Sequence, residues 1–96
     1  MPPRHRQLTP LNIDGYLSQI NTNSSPDTII KIKCKAAFTL IRVGDKLNTK
    51  RAIDLFNEAY NIQRGIRGTH HPRTLNILNS FLPKLLFALW IGSLTL

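Results

Sequence analysis

The most constraining feature of this 96-residue sequence is a helical spacing of apolar residues between positions 49 and 66. Six apolar residues recur there at steps of three and four: Ala52, Leu55, Phe56, Ala59, Ile62 and Ile66. Asp54 and Glu58 fall on the opposite side, facing solvent, so the spacing predicts an amphipathic helix. Thr49 can cap its first turn, and glycines at positions 65 and 68 bracket its end.

Capping residues followed by proline predict the starts of other helices. Thr9-Pro10 opens a predicted helix of about 11 residues, since proline at the first helical position loses no hydrogen bond. Ser25-Pro26 opens a second helix, which Gly44-Asp45 is expected to end. The turn before Pro72 opens the last helix, and Pro83 predicts a kink or a stop within it.

Residues 30–35 fit two structures. Ile30, Ile32 and Cys34 alternate with lysines, which is the pattern of a strand with a basic face. The alternative is a helix. The same segment continues into Ala36 and Ala37 without a helix-breaking residue, and on a helix its apolar residues cover one wide side. We favour the helix because its start is capped. The sequence contains no strand pair or hairpin turn, so we predict an all-α fold with about four helices.

The chemically active side chains form no catalytic pattern. Cys34 is the only cysteine, which excludes an intramolecular disulfide and a four-cysteine zinc site. His70 and His71 are adjacent and lack a second group of ligands at metal spacing, so we assign them to a turn. Nothing supplies an acid, a base and a nucleophile together. We therefore predict no enzyme, no cofactor and no metal site.

The charge balance is strongly basic. Thirteen Lys and Arg against five Asp and Glu give a net charge of +8, which excludes an acidic tail-type protein and leaves anionic partners open. Lysines cluster at positions 31, 33 and 35, and residues 1–8 are predicted to be a flexible basic arm. We favour a solvated basic surface. Nucleic acid is the less favoured partner, since no base-reading motif or aromatic platform accompanies the charge.

The last 12 residues, 85–96, contain no charge. A bilayer-spanning helix needs about 20 apolar residues, so we expect a buried terminal helix. A shallow membrane anchor is the alternative, because Trp90 follows Lys84 closely. The basic N-terminus lacks the apolar stretch of a secretory signal peptide, so we expect a cytoplasmic protein. The expected regions are the arm at 1–8, a helical domain at 9–82 and an apolar tail at 83–96.

Two motifs lie close together in the second half of the chain. Residues 52–59 read Ala-Ile-Asp-Leu-Phe-Asn-Glu-Ala, and residues 68–75 read Gly-Thr-His-His-Pro-Arg-Thr-Leu. Together they resemble the tetratricopeptide repeat of the kinesin light chain type. Ala36 and Leu78, in equivalent positions, are 42 residues apart, whereas an ordinary repeat has about 34. The resemblance covers residues 33–82, about one and a half repeats, and departs from the family at Arg73, where an acidic residue is usual.

The resemblance implies a helical-repeat module for protein–protein interaction, in which the first helix of each hairpin lines a groove for a peptide or a partner helix. Asn79 is then the polar candidate for contact with the partner, and Cys34, Phe38 and Ile41 are the apolar candidates. Packing in the core is the competing interpretation of each. The positive charge favours an acidic partner.

Two further functions stay open from the sequence alone. The apolar tail with the basic surface would suit a small membrane-associated protein, and the charge alone would suit a nucleic-acid-binding protein. Stacked repeats also need about three units to bury a continuous core, so self-association or an obligate partner is a third alternative.

Overall fold

The structure is a computed structural model that describes residues 8–94. A 3-10 turn, Pro10–Asn12, leads into a short helix, α1 (Ile13–Leu17). Three long helices follow: α2 (Pro26–Ile41), α3 (Lys46–Arg67) and α4 (Pro72–Leu94). Residues 8–94 contain no strand, so the predicted all-α fold with about four helices is confirmed.

The first helix is shorter than the sequence predicts. α1 has five residues instead of the expected stretch of about 11. Gly15 lies in its middle, where glycine costs about 1 kcal/mol relative to alanine, and the Ser18 hydroxyl donates a hydrogen bond to the Gly15 carbonyl at 2.6 Å. Leu11, an apolar residue within the predicted helix, is 97% exposed, whereas Ile13 is fully buried. Within α1, Ile13 is the buried core residue.

The ambiguous segment at 30–35 is helical, as we favoured, and lies inside α2. The predicted cap forms: the Thr28 backbone N–H donates to the Ser25 hydroxyl oxygen at 3.2 Å. α2 ends at Ile41, earlier than expected. Val43, which an end at Gly44-Asp45 would place inside the helix, therefore lies in the following loop and is exposed.

α3 begins earlier than predicted. Its first residue is Lys46, because Asp45 Oδ1 accepts a hydrogen bond from the Asn48 backbone N–H at 2.7 Å and so caps the helix. Thr49, the predicted cap, is a buried residue inside the helix. Asp45 therefore caps the start of α3 and does not belong to the end of α2, where its place beside Gly44 predicts it.

Three phenylalanines hold α2, α3 and α4 together. Phe81 of α4 is 1% exposed; its ring lies 4.3 Å from the Phe56 ring of α3 and 5.8 Å from the Phe38 ring of α2, between centroids. Fully buried alanines let α2 and α3 approach closely: Ala36, Ala37, Ala52 and Ala59. The contact between α2 and α3 is the most extensive in the structure, and the short loop at 42–45 joins them as a helical hairpin.

Ion pairs join α3 to the preceding helices: Lys33 with Glu58, Asp27 with Arg67, and Asp14 with Arg51. Glu58, expected to face only solvent, accepts a hydrogen bond from Lys33 Nζ at 2.6 Å. The side-chain hydrogen bond from Arg67 lowers the pKa of Asp27. Solvent and salt screen such surface pairs, so the core supplies most of the cohesion between helices.

Pro83 does not end α4, which continues as a helix to Leu94. The expected stop is therefore wrong, and the boundary expected between residues 82 and 83 falls inside this helix. Pro83 is exposed, so water can reach the carbonyl that its missing N–H leaves unpaired. Phe81 before it and Ala88 after it both belong to the core, which holds the helix on either side.

Candidate functional site

An open groove lies between the C-terminal end of α2, the loop after it, and the middle of α4. Its volume is about 430 Å³, within the range of small binding sites. The residues that line it come from two stretches of the chain: Ile41, Arg42, Val43, Gly44, Pro83, Lys84, Phe87 and Ala88. The groove therefore depends on the packing of α4 beside α2.

The local sequence explains why this space stays open. Gly44 has a φ of +83°, a left-handed conformation that turns the chain away from α2. Ile41 and Ala88 are buried beneath the groove, and the small Ala88 side chain fills little of it. Val43 and Phe87 stand 44% and 60% exposed along it. These side chains make an apolar groove that water reaches.

Two cations lie at this groove. Lys84 Nζ is 5.4 Å from the centre of the Phe38 ring, a distance suited to a cation–π contact. Arg42 Nε donates to the Phe38 carbonyl at 3.4 Å. Both side chains are exposed, and the lining residues include no carboxylate among those that the structure describes. The groove is thus apolar inside and positively charged at its edge.

The structure brings two of the four predicted contact residues to this groove. Ile41 lines it, and Phe38 packs beside it against Phe81 and beneath Lys84. Cys34 is partly buried elsewhere on α2, and Asn79 is exposed on α4 away from the groove lining.

The sequence interpretation missed Val43, Lys84 and Phe87 as groove residues. The only sequence signal for Phe87 is the uncharged C-terminal run, which by itself predicts a separate tail. Nothing in the linear sequence indicated that the loop after α2 would lie beside it.

The turn before α4 is held by its own hydrogen bonds. The Arg73 backbone N–H donates to His71 Nδ1 at 3.1 Å, and the buried Thr74 hydroxyl donates to the Gly68 carbonyl at 2.8 Å. His71 therefore has the turn role that the sequence indicates. Across the described part of the chain, no three His, Cys, Asp or Glu side chains gather as they would around a metal ion.

The last described turns of α4 are more exposed than predicted. Among residues 85–90, Ala88 is buried, but Leu86, Phe87, Leu89 and Trp90 each have more than half of their surface exposed. The expected buried terminal helix is therefore buried on one face only. Within residues 8–94, no helix combines the length and the apolar character that crossing a bilayer requires.

Comparison with protein-family models, with curated proteins and with solved structures finds no match for this chain.

Proposed function

We propose that this chain is a protein–protein interaction module that binds an acidic segment of another protein in the groove between α2 and α4. The observation that carries the proposal is the groove itself: apolar walls at Val43 and Phe87, with Arg42 and Lys84 at its edge. Apolar side chains of a partner would fill the groove, and its carboxylates would meet the two cations.

The charge distribution supports an acidic partner over a neutral one. Several cations elsewhere on the surface already have a carboxylate beside them, as Lys33, Arg51 and Arg67 do. Arg42 and Lys84 have no such neighbour among the described residues, and they flank the apolar groove beside α4. A partner's carboxylates would therefore gain attraction there without displacing an existing ion pair.

The arrangement of the helices also supports the resemblance to tetratricopeptide repeats as part of this proposal. In that family the first helix of each hairpin lines the groove. α2 and α4, which carry the equivalent positions Ala36 and Leu78, are the two helices that border this groove. We propose that the chain uses the face that such repeats use, with about one and a half repeats.

The test begins with peptides selected by the full chain from a displayed library of random sequences. We expect selected peptides to combine acidic residues with one or two large apolar residues. Their affinity, measured by fluorescence anisotropy, should fall about tenfold or more in the Arg42→Gln/Lys84→Gln variant, because two charge-assisted contacts are removed. Phe87→Ala should also weaken binding, because it removes one wall of the groove.

Lys31→Gln/Lys50→Gln is the matched control. Both lysines are exposed and neither lines the groove, so the control removes two positive charges, as the groove variant does, without changing the site. If the control weakens binding as much as Arg42→Gln/Lys84→Gln does, attraction is a property of the whole surface and the proposed site is wrong. Far-ultraviolet circular dichroism checks that all variants keep their helices.

A further inference from the structure

α4 has a second apolar face that stays largely exposed among residues 8–94. One face of the helix enters the core through Thr74, Phe81 and Ala88, all of them buried. A second face carries four leucines that are 39–65% exposed: Leu75, Leu82, Leu86 and Leu89. This second face, with Asn79 between its first two leucines, is called the leucine stripe below.

The leucine stripe has the spacing of a helix-pairing surface. Its members, at positions 75, 79, 82, 86 and 89, follow at alternating steps of four and three, which confines them to a sector about 80° wide on a regular helix. Steps of this kind are what allow the side chains of one helix to pack into the spaces of another. The exposed leucines are therefore ordered along one line.

The stripe is large enough to support a weak dimer. Together with the neighbouring Trp90, which is 60% exposed, the leucines leave roughly 500 Å² of apolar surface open on each chain. Two copies would bury about 1,000 Å² in total, which is near the lower limit for a specific interface. A contiguous patch of this extent matches the largest apolar patch of a typical monomer, about 300–600 Å², and such patches are often functional.

The charges favour a protein partner over a membrane. A helix that lies on an anionic membrane carries Lys and Arg along the borders of its apolar face. The charged residues of α4 are Arg73 and Lys84, and helical spacing places both on the far side from the stripe. Lys84 Nζ moreover lies over the Phe38 ring. The borders of the stripe on α4 itself are thus uncharged, so two copies can approach there without direct repulsion.

We propose that the leucine stripe of α4 pairs in parallel with the same stripe of a second copy. Parallel pairing places Asn79 opposite Asn79 of the second copy, where the two amides can exchange hydrogen bonds. Antiparallel pairing about the centre of the stripe would place each amide against a leucine and bury it unpaired. Asn79 therefore fixes the orientation, and the leucines provide the contact area. This proposal does not depend on the function proposed for the groove.

Sedimentation equilibrium of the full chain over a range of concentrations tests the pairing. We expect a species of twice the 10.9 kDa chain mass that dissociates on dilution. Leu86→Glu should weaken the association about tenfold or more, because it places a carboxylate in the middle of the contact. Leu47→Glu is the matched control: Leu47 is 70% exposed at the start of α3, off the stripe, and its substitution should leave the dimer intact.

Cross-linking tests the orientation while Asn79 is kept. In a Cys34→Ala background, Leu75→Cys should form a disulfide between copies on mild oxidation, because parallel pairing places Leu75 opposite Leu75 of the second copy and antiparallel pairing places it opposite Leu89. Asn57→Cys, at an exposed position of α3, should form none. A chain that stays monomeric at all concentrations and does not cross-link would overturn the proposal. A dimer that Leu86→Glu leaves unchanged, with full helicity, would overturn it as well.

The same leucines offer a second test through lipid. Full-length chain is sedimented with vesicles of phosphatidylcholine and phosphatidylserine. We expect little of the chain to pellet with them. A monomeric chain that pellets with the vesicles, and that loses this property in Leu86→Glu but not in Leu47→Glu, would assign the stripe to a membrane surface and overturn the dimer.

Discussion

At the scale of single residues, Cys34 shows how burial decides chemistry. Burial raises the pKa of its thiol from the ordinary 9.0 to about 11. The thiol is therefore protonated at neutral pH, and the weakly nucleophilic neutral form predominates. Its position on α2, away from the groove lining, agrees with a packing role more than with contact to a partner.

The raised pKa predicts a loss of stability at alkaline pH. Well below pH 9 the thiol is protonated in both the folded and the unfolded chain, so its contribution to the free energy of unfolding does not change with pH. Between about pH 9 and 11 the unfolded chain loses the proton first, and the free energy of unfolding should fall by about 1–2 kcal/mol from this group. Urea unfolding at about pH 8 and about pH 10.5 measures the change. In the Cys34→Ala variant, the free energy of unfolding should fall by less over the same pH interval. An equal fall in both proteins would contradict the prediction.

A residue of the groove could be predicted from the sequence only where its position within a single helix places it there. Ile41 could be predicted because helical spacing places it on the apolar side of α2. Lys84 and Phe87 could not, because they join the site only through the packing of α4 beside the loop after α2. Asn79 followed from the resemblance alone, and it lies on a different face of α4 from the groove.

At the scale of helices, the sequence predicted where helices exist better than where they begin and end. The starts at Ser25-Pro26 and Pro72 are local events, and both are confirmed. The predicted start of α3 is wrong because Thr49 and Asp45 are both residue types that cap helices well. Only the burial of Thr49, which depends on the tertiary structure, shows that Asp45 is the cap. The continuation of α4 depends on core contacts of Phe81 and Ala88, which no local pattern contains.

Pro83 offers a test of how firmly those contacts hold α4. Pro83→Ala should stabilise the chain by about 1–3 kcal/mol, because alanine restores a hydrogen bond and removes the ring from the helix interior. Pro72→Ala, at the first position of the same helix, should change stability little. Urea unfolding followed by circular dichroism compares the two. Destabilisation by Pro83→Ala would mean that α4 needs the proline's shape.

The cap of α3 gives a second prediction for the helices. Asp45→Ala should destabilise the chain by about 1 kcal/mol, because the Asn48 N–H loses its side-chain acceptor. Asp54→Ala removes the same charge from an exposed position within α3 and serves as the control. Thermal unfolding should show a lower midpoint for the first variant only. Equal midpoints would assign the start of α3 to packing instead of capping.

At the scale of the whole molecule, the net charge of +8 acts on both proposed interactions, in opposite directions. It attracts an acidic partner toward the groove. It also repels a second copy of the chain. This repulsion acts over about one Debye length, roughly 10 Å at an ionic strength of about 0.1 M. The apolar leucine stripe must overcome that repulsion through contact area.

Added salt should therefore separate the two interactions. Raising sodium chloride from about 0.05 to about 0.5 M should weaken the binding of an acidic peptide and strengthen self-association. Anisotropy measures the first and sedimentation equilibrium the second, on the same full-length chain. If both weaken with salt, the contact between copies is ionic and the stripe is not its centre.

α4 presents three faces to three different surroundings: the core, the groove and the leucine stripe. Because the same helix borders the groove and carries the stripe, a tilt of α4 that suits one occupant would alter the fit of the other. By thermodynamic reciprocity, the factor by which pairing of two copies changes peptide affinity equals the factor by which peptide changes pairing. Concentration of the chain would then act as an effector of the groove, and the peptide as an effector of assembly.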